Sequence, residues 1–432
     1  MIYWAQLLHF YQPPDQLHSV LEKVCDESYR PLIEVFRQHP HARATVNVNG
    51  VLTELLHDHG HHDVIDGLRE LAARGQIEFV GSGKHHPILP LIPEGEMLRQ
   101  VRENARTNRF YFGDVYAPQG FFPPEMCYSP AIVPPIAVAG HAWLIVSGVG
   151  CPTDWPLDVV HELEVEGERL AVFFRDDILS NKISFQDLGP QDFLNHLEHH
   201  LARDGGDTYV VTAMDAETYG HHIQQWEERF LAEVYDEIQP RKETHRGLQQ
   251  MRALSRAEAA LLEAPDLTHQ VQSVTVSELL HLFPRGELIA PKPSSWSATA
   301  QDIEAGNPYP LWRSPDNEVH RLQWEHMTLC LELVHTAQSV ADTPSARHFA
   351  GIARGLLDRA LHSCQFWWAS RRPMWDINLI HRGLVAQWET VVNAFKAINS
   401  GNASAKVKRD SYYKVIVARD VRDKIVDRLF LD

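Results

Sequence analysis

Over the first 280 residues, short apolar runs alternate with amphipathic helical stretches, and this alternation constrains the fold more than any other feature of the chain. Runs of the strand type lie at 2–10, 44–50, 76–82, 120–124, 142–148, 170–176, 208–215 and 271–279. Helical patterns fall between most of them, for example Glu94 to Phe112, Pro190 to Arg203 and Trp226 to Glu237. This is the pattern of parallel βα units. Several runs are apolar without a period of two, as expected of strands covered on both faces. Each run ends in something polar or special: His9, Asn47 and Asn49, Gly81, Glu125, Ser147, Arg175 and Asp176, Asp215 and Glu217. In a barrel of parallel strands the site is assembled at the C-terminal strand ends, so the placement reads as one site built from many strands. An open doubly wound sheet would usually carry a Gly-rich phosphate turn, and neither GxGxxG nor a P-loop pattern follows a strand here.

The texture changes near Leu282, where residues 282–318 form a long Pro/Ser/Gly-rich passage without periodicity. A loop of that length is usually functional or a linker, and this one contains Trp296, Tyr309 and Trp312. Beyond it Leu322, His326, Leu329 and Leu333 follow helical spacing, with further helical segments over 345–370, 377–399 and 411–430. The expected organisation is therefore a catalytic unit over 1–283, an aromatic-containing loop over 284–317 that borders the cleft, and a helical domain over 318–432 that contributes to the site.

With 57 acidic against 40 basic residues and no basic stripe, nucleic acid is an unfavoured partner. No apolar run is long enough to span a bilayer, and the first residues lack a basic signal-peptide start, so no membrane partner and a cytoplasmic location are expected. Five scattered cysteines without CxxC spacing argue for reduced thiols rather than a disulfide framework or zinc knot.

Two carboxylates stand out. In GFFPPEMCYSP (120–130) a Pro-Pro pair precedes Glu125 and presents it from a stiff turn, which suits a nucleophile; the alternative is a surface Glu near a helix start. Asp215 emerges from an apolar run into the barrel mouth, where desolvation and a neighbouring carboxylate can raise its pKa enough for acid work; the alternative is a helix cap. Two carboxylates at two strand ends, among aromatics, are what glycoside hydrolysis needs. Aromatic supply is ample, in FWWASRRPMW (366–375) and at Trp4, Trp155, Trp296 and Trp312, where flat rings could stack on sugar faces.

HFYQPP (9–14), GQIEFVGSG (75–83), PPEMC (123–127), MDAETYGHH (214–222) and SCQFWW (363–368) are similar, in order and spacing, to the five conserved regions of glycoside hydrolase family 57. The resemblance implies an α/β fold, an incomplete (β/α)7 TIM-like barrel followed by a C-terminal α-helical domain. It implies retaining catalysis on an α-glucan or maltooligosaccharide, by an α-amylase or 4-α-glucanotransferase, with no metal or other cofactor. It places the nucleophile at Glu125 and the acid/base at Asp215, and assigns His9, Gln12, Glu78, Gly81 and Trp368 to sugar-binding regions. His86, Glu217, His221 and Trp296 complete the candidate substrate-binding set. Tyr11 stands where the family commonly has histidine, Ala216 where it commonly has glycine, and Ser363 with Gln365-Phe366 alters the fifth region; all are expected to border the sugar closest to the chemistry.

Two other readings use the same residues. His221 and His222 with Asp176 or Asp215 could ligate metal in a hydrolase of the polysaccharide deacetylase kind, although adjacent histidines on a turn usually point apart. Tyr11 and Ala216 keep open a non-catalytic carbohydrate-binding relative.

Overall fold

A computed structural model of the protein describes residues 1–201, 206–238 and 270–431. Its strands are β1 (Ile2–Phe10), β2 (Ala44–Val48), β3 (Ile77–Val80), β4 (Gly120–Phe121), β5 (Trp143–Ser147), β6 (Val160–Val165), β7 (Glu168–Arg175), β8 (Thr208–Asp215), β9 (Val271–Val274) and β10 (Arg285–Leu288). They form two sheets, β3-β2-β1-β8 with β9 also on β1, and β10-β6-β7-β5-β4. A bridge between Gly81 and Phe121 joins β3 to β4, and the Asp176 N–H donates to the Val211 carbonyl at 2.8 Å to join β7 to β8. Seven parallel strands, β8-β1-β2-β3-β4-β5-β7, thus run round an incomplete barrel.

Side-chain parity then dictates what the barrel mouth contains. Along β1, Ala5 and Leu7 pack in the interior with Val80, Phe173, Val211 and Ala213, whereas Trp4, Leu8 and Phe10 pack outward under helices. Successive strand residues alternate faces, so His9, two residues beyond Leu7, is delivered to the top of the interior. The register repeats this on both sides: His9 pairs with Asn47 of β2 and with Asp215 of β8. Arg175 follows Ala171 and Phe173 on the inward face of β7 by the same rule.

Two strands, β6 and β10, were not expected. β6 and β7 are an antiparallel hairpin closed by Glu166 and Gly167, both at positive φ (54° and 86°), the two-residue turn that matches strand twist. The expected run 271–279 is a strand only to Val274. Thr275 and Glu278 then form a capping box that starts the helix α2 over Val276–Leu282; the helix earlier in the chain over Glu94–Phe112 is α1. The expected helix to Arg203 is helical over Pro190–Leu201, and Arg203 lies outside the described residues.

The C-terminal region packs four long helices, α3 (Glu318–Ser339), α4 (Pro344–Ala360), α5 (Ile377–Ser400) and α6 (Ala405–Leu431). Helix α4 stops at Ala360 rather than running to 370, and the chain turns into a short helix, Cys364–Trp367. Leu322, His326 and Leu333 are buried, and Leu329 is half-buried. One apolar cluster unites outward residues of β5 and β7 (Leu144, Val146, Val172, Phe174) with Val101 of α1 and with Leu333, Leu357 and Val391 of the C-terminal helices. Beside it a buried ionic network joins α1 to α4, with Arg354 bonded to Glu96 (2.7 and 2.9 Å) and to Asp358 (2.8 Å).

Candidate active site

Glu125 stands on a turn over Pro124–Met126 at φ 58°, ψ 18°, and Met126 follows at φ 49°. Two consecutive residues with side chains in the left-handed region are strained, so surrounding contacts must hold them. The holding contacts come from the 284–317 segment. Tyr128 and Ser294 exchange backbone hydrogen bonds (2.8 and 3.2 Å), and the Trp296 N–H donates to the Glu125 carbonyl (3.2 Å). That short ladder lays Trp296 beside the carboxylate, where its Nε1–H donates to Oε2 at 2.9 Å. Ser363 donates to the other oxygen, Oε1, at 3.1 Å.

Asp215 lies across the mouth. Among the described residues its carboxylate has no hydrogen-bond partner, and it faces a cleft of about 660 Å³ that is also lined by His9, Tyr11, Gln12, Glu125, Arg175, Glu217, His222, Trp296, Trp312 and Trp367. His9 is fixed by donating from Nδ1 to Asn47 Oδ1 (2.6 Å) and by stacking on Phe122 and His86. Glu217 is buried and accepts from Gln12 Nε2 (2.9 Å) and from the Tyr29 hydroxyl on the same oxygen. Gly220, at φ 102°, turns the chain away afterwards; a Cβ there would overlap the Glu27 carbonyl.

Three carboxyls in one cleft cannot all ionise easily. Burial first, then the Asp215 charge, pushes Glu125 up to about 8, against hydrogen bonds from Ser363 and Trp296. Burial and the same charge push Glu217 up to about 8. Burial also raises Asp215, but His9 and Arg175 oppose the rise. All three carboxyls are thus pushed towards their protonated forms in the open cleft.

Placement divides the expected residues. Glu125, Asp215, His9, Gln12, Glu217 and Trp296 line the cleft. His86 lies behind Glu125, fully buried, with Nδ1 3.6 Å from Oε1. Glu78 does not line it: on β3, paired with Thr45, it points inward one layer below Asn47, and its carboxylate accepts from Thr45 Oγ1 (2.7 Å) and from the Ser277 N–H (3.0 Å) at the start of α2. Gly81 packs on His141, whose ring a Cβ would overlap. Trp368 is buried among Leu322, Ile380 and Leu384, and its neighbour Trp367 reaches the cleft, since consecutive helical residues point about 100° apart. His221 is held by Glu27 at 2.6 Å while His222 lines the cleft. Asp176 caps its helix by accepting from the Leu179 N–H, and among the described residues no three His, Cys, Asp or Glu groups converge as a metal site. Of the departures, Tyr11 borders the cleft; Ala216 does not, its methyl lying in the barrel's outer core and its carbonyl on Ser28 Oγ (2.9 Å).

Arg175 is a member of the site that motif reasoning left out. Its Nε–H donates to the Ala213 carbonyl (2.8 Å), its terminal nitrogens bind Asp177 (2.8 Å) and Asn181 (2.9 Å), and its guanidinium lies 5.9 Å from the Trp296 ring centre. Strand parity from Ala171 and Phe173 was the available signal.

Residues 5–260 match the family model described as Glycosyl hydrolase family 57. An α-amylase 1 of Dictyoglomus thermophilum is 31% identical over 208 residues, covering 47% of this chain and 29% of that protein. A 4-alpha-glucanotransferase of Thermococcus kodakarensis is 29% identical over 245 residues, 54% of this chain and 36% of that protein. The chain thus spans about a third of the length of these curated relatives. Among solved structures, the 4-alpha-glucanotransferase of Thermococcus litoralis superposes with a TM-score of 0.67 at 20% identity, over 92% of this chain and 60% of that one. A GH57 branching enzyme of Thermococcus kodakaraensis superposes with a TM-score of 0.64 at 15% identity, over 97% and 95%. At these identities the superpositions establish the fold, an incomplete parallel barrel followed by helices.

Proposed function

The chain belongs to glycosyl hydrolase family 57, and from that membership we propose that it is a retaining α-glucan-active enzyme, cleaving α-1,4-glucosidic bonds by hydrolysis or by transfer to an acceptor glucan. The observation that carries this reading is the opposition of Glu125 and Asp215 across one cleft walled by Tyr11, Trp296 and Trp367. The names of its relatives, α-amylase and 4-alpha-glucanotransferase, support it.

In the proposed cycle Glu125 attacks the anomeric carbon while protonated Asp215 gives its proton to the departing glycosidic oxygen. The glycosyl ester on Glu125 is then opened by water or a sugar hydroxyl, whose proton returns to Asp215. The cycle needs Glu125 ionised and Asp215 protonated when substrate is bound. A glycosidic oxygen placed beside Asp215 favours its protonated form, and the donors Trp296 and Ser363 favour the ionised form of Glu125.

Incubation with maltopentaose tests the reaction and separates its two forms. Disproportionation into longer and shorter oligosaccharides marks transfer, and simple shortening marks hydrolysis. A 5-fluoro glycosyl fluoride should label the peptide carrying Glu125, and Glu125→Gln should abolish both the label and turnover. Unchanged turnover in Glu125→Gln would overturn the reading.

A further inference from the structure

Ser363 is fully buried and bonded to one residue by both its backbone and its side chain. Its N–H donates to the His86 carbonyl at 2.9 Å, and its Oγ lies 2.8 Å from His86 Nδ1. The same Oγ is 3.1 Å from Glu125 Oε1, while His86 itself stands off at 3.6 Å. A serine hydroxyl carries one hydrogen. If that hydrogen goes to the carboxylate, the lone pairs of Oγ must accept from His86 Nδ1–H.

We propose that Ser363, held by His86, is a positioning residue for Glu125: the histidine occupies the hydroxyl's acceptor side and so fixes its hydrogen on the carboxylate oxygen. The proposal rests on the reading of Glu125 as the nucleophile. It adds a determinant contributed from beyond the barrel.

The surroundings hold the His86 ring in place. His86 is stacked on Tyr11 at 4.0 Å and on His9 at 4.8 Å, and sits at φ 58°, so its ring cannot swing away without breaking the stack. Burial, reinforced by His9 and His362, holds its pKa well below the usual histidine value, so it serves as a neutral donor rather than a counter-ion. The titratable groups facing Glu125 are Asp215, His86, Tyr11, Cys364 and Cys127. Asp215 destabilises the ionised form, and neither buried thiol nor the phenol supplies positive charge. The two neutral donors, Ser363 and Trp296, are what favour the carboxylate.

The test is the titration of Glu125, followed by carbon-13 NMR of glutamate-labelled protein and assigned with Glu125→Gln. Ser363→Ala should raise the midpoint by about one pH unit, Ser363→Thr should restore it, and His86→Phe, which keeps the stack but removes the donor, should raise it by less. On maltopentaose the alanine variant should lose roughly tenfold in kcat with KM unchanged, and the acidic limb of its pH–rate profile should move upward. An unmoved midpoint in folded Ser363→Ala, or a threonine variant that titrates like alanine, would overturn the proposal. Because the titration needs no turnover, an inactive wild-type protein would sink the functional reading and leave the positioning claim to stand or fall on its own data.

Discussion

Glu217 offers a clean residue-scale test of the crowded carboxyls, because both of its donors converge on one oxygen that a glutamine would retain. Its folded pKa of about 8 lies above the ordinary glutamate value of 4.5, so the native state holds this proton more tightly than the unfolded chain. Below pH 4.5 both states are protonated and the group is neutral to stability. Between 4.5 and 8 the native state loses stability by about 1.4 kcal/mol per pH unit, and above 8 the penalty is complete. Glu217→Gln should therefore match wild type in melting temperature near pH 4 and exceed it increasingly up to pH 8; parallel curves would contradict this. Ala216 gives the opposite kind of test. Its buried methyl belongs to the core, so Ala216→Gly should cost about 1–2 kcal/mol in urea unfolding and leave the product pattern unchanged. In the sequence Asp215 and Glu125 were legible because each ends an apolar run. The distinction between Trp367 and Trp368, or between His221 and His222, was not, since adjacency in a motif does not say which neighbour faces inward.

At the scale of elements, the ionic network between α1 and α4 is the sharpest case. Arg354 and Glu96 are both buried, and the pair is bidentate. Arg354→Met would remove the bidentate partner of buried Glu96, leaving the 2.7 Å contact with His335, and should cost about 3–5 kcal/mol in chemical denaturation. A loss under 1 kcal/mol would show that the network is incidental. Most strands and long helices were readable from periodicity, with α1 matching its expected bounds. β6 was not, because VHELEV mixes polar with apolar residues and its signal is the Glu166-Gly167 turn rather than an apolar run. The end of β9 was hidden in TVSE, where a capping box overrides the β-type composition.

For the whole molecule, the apolar cluster shared by β5, β7 and the C-terminal helices means that residues 1–283 alone would expose Leu144, Val146, Val172 and Phe174 to water. A fragment ending at 283 should bind a hydrophobic dye and lack the near-UV dichroism of the full chain. A rigid, dye-free fragment would show that the barrel completes its own core. The barrel itself was legible because inward parity and strand-end polarity coincide. Docking of the 284–317 segment was not, because it depends on the pairing of Ser294 with Tyr128, two positions 166 residues apart that share no local pattern.

Both donors to the Glu125 carboxylate, Trp296 and Ser363, are made long after the acid itself. During synthesis the ribosome releases Glu125 and Asp215 first and the two donors last. A growing chain with its barrel already threaded would hold Glu125 without either donor. Competence arrives late, so measurable turnover in a translation reaction should lag the appearance of barrel-length product and begin when residues near 363 clear the exit tunnel.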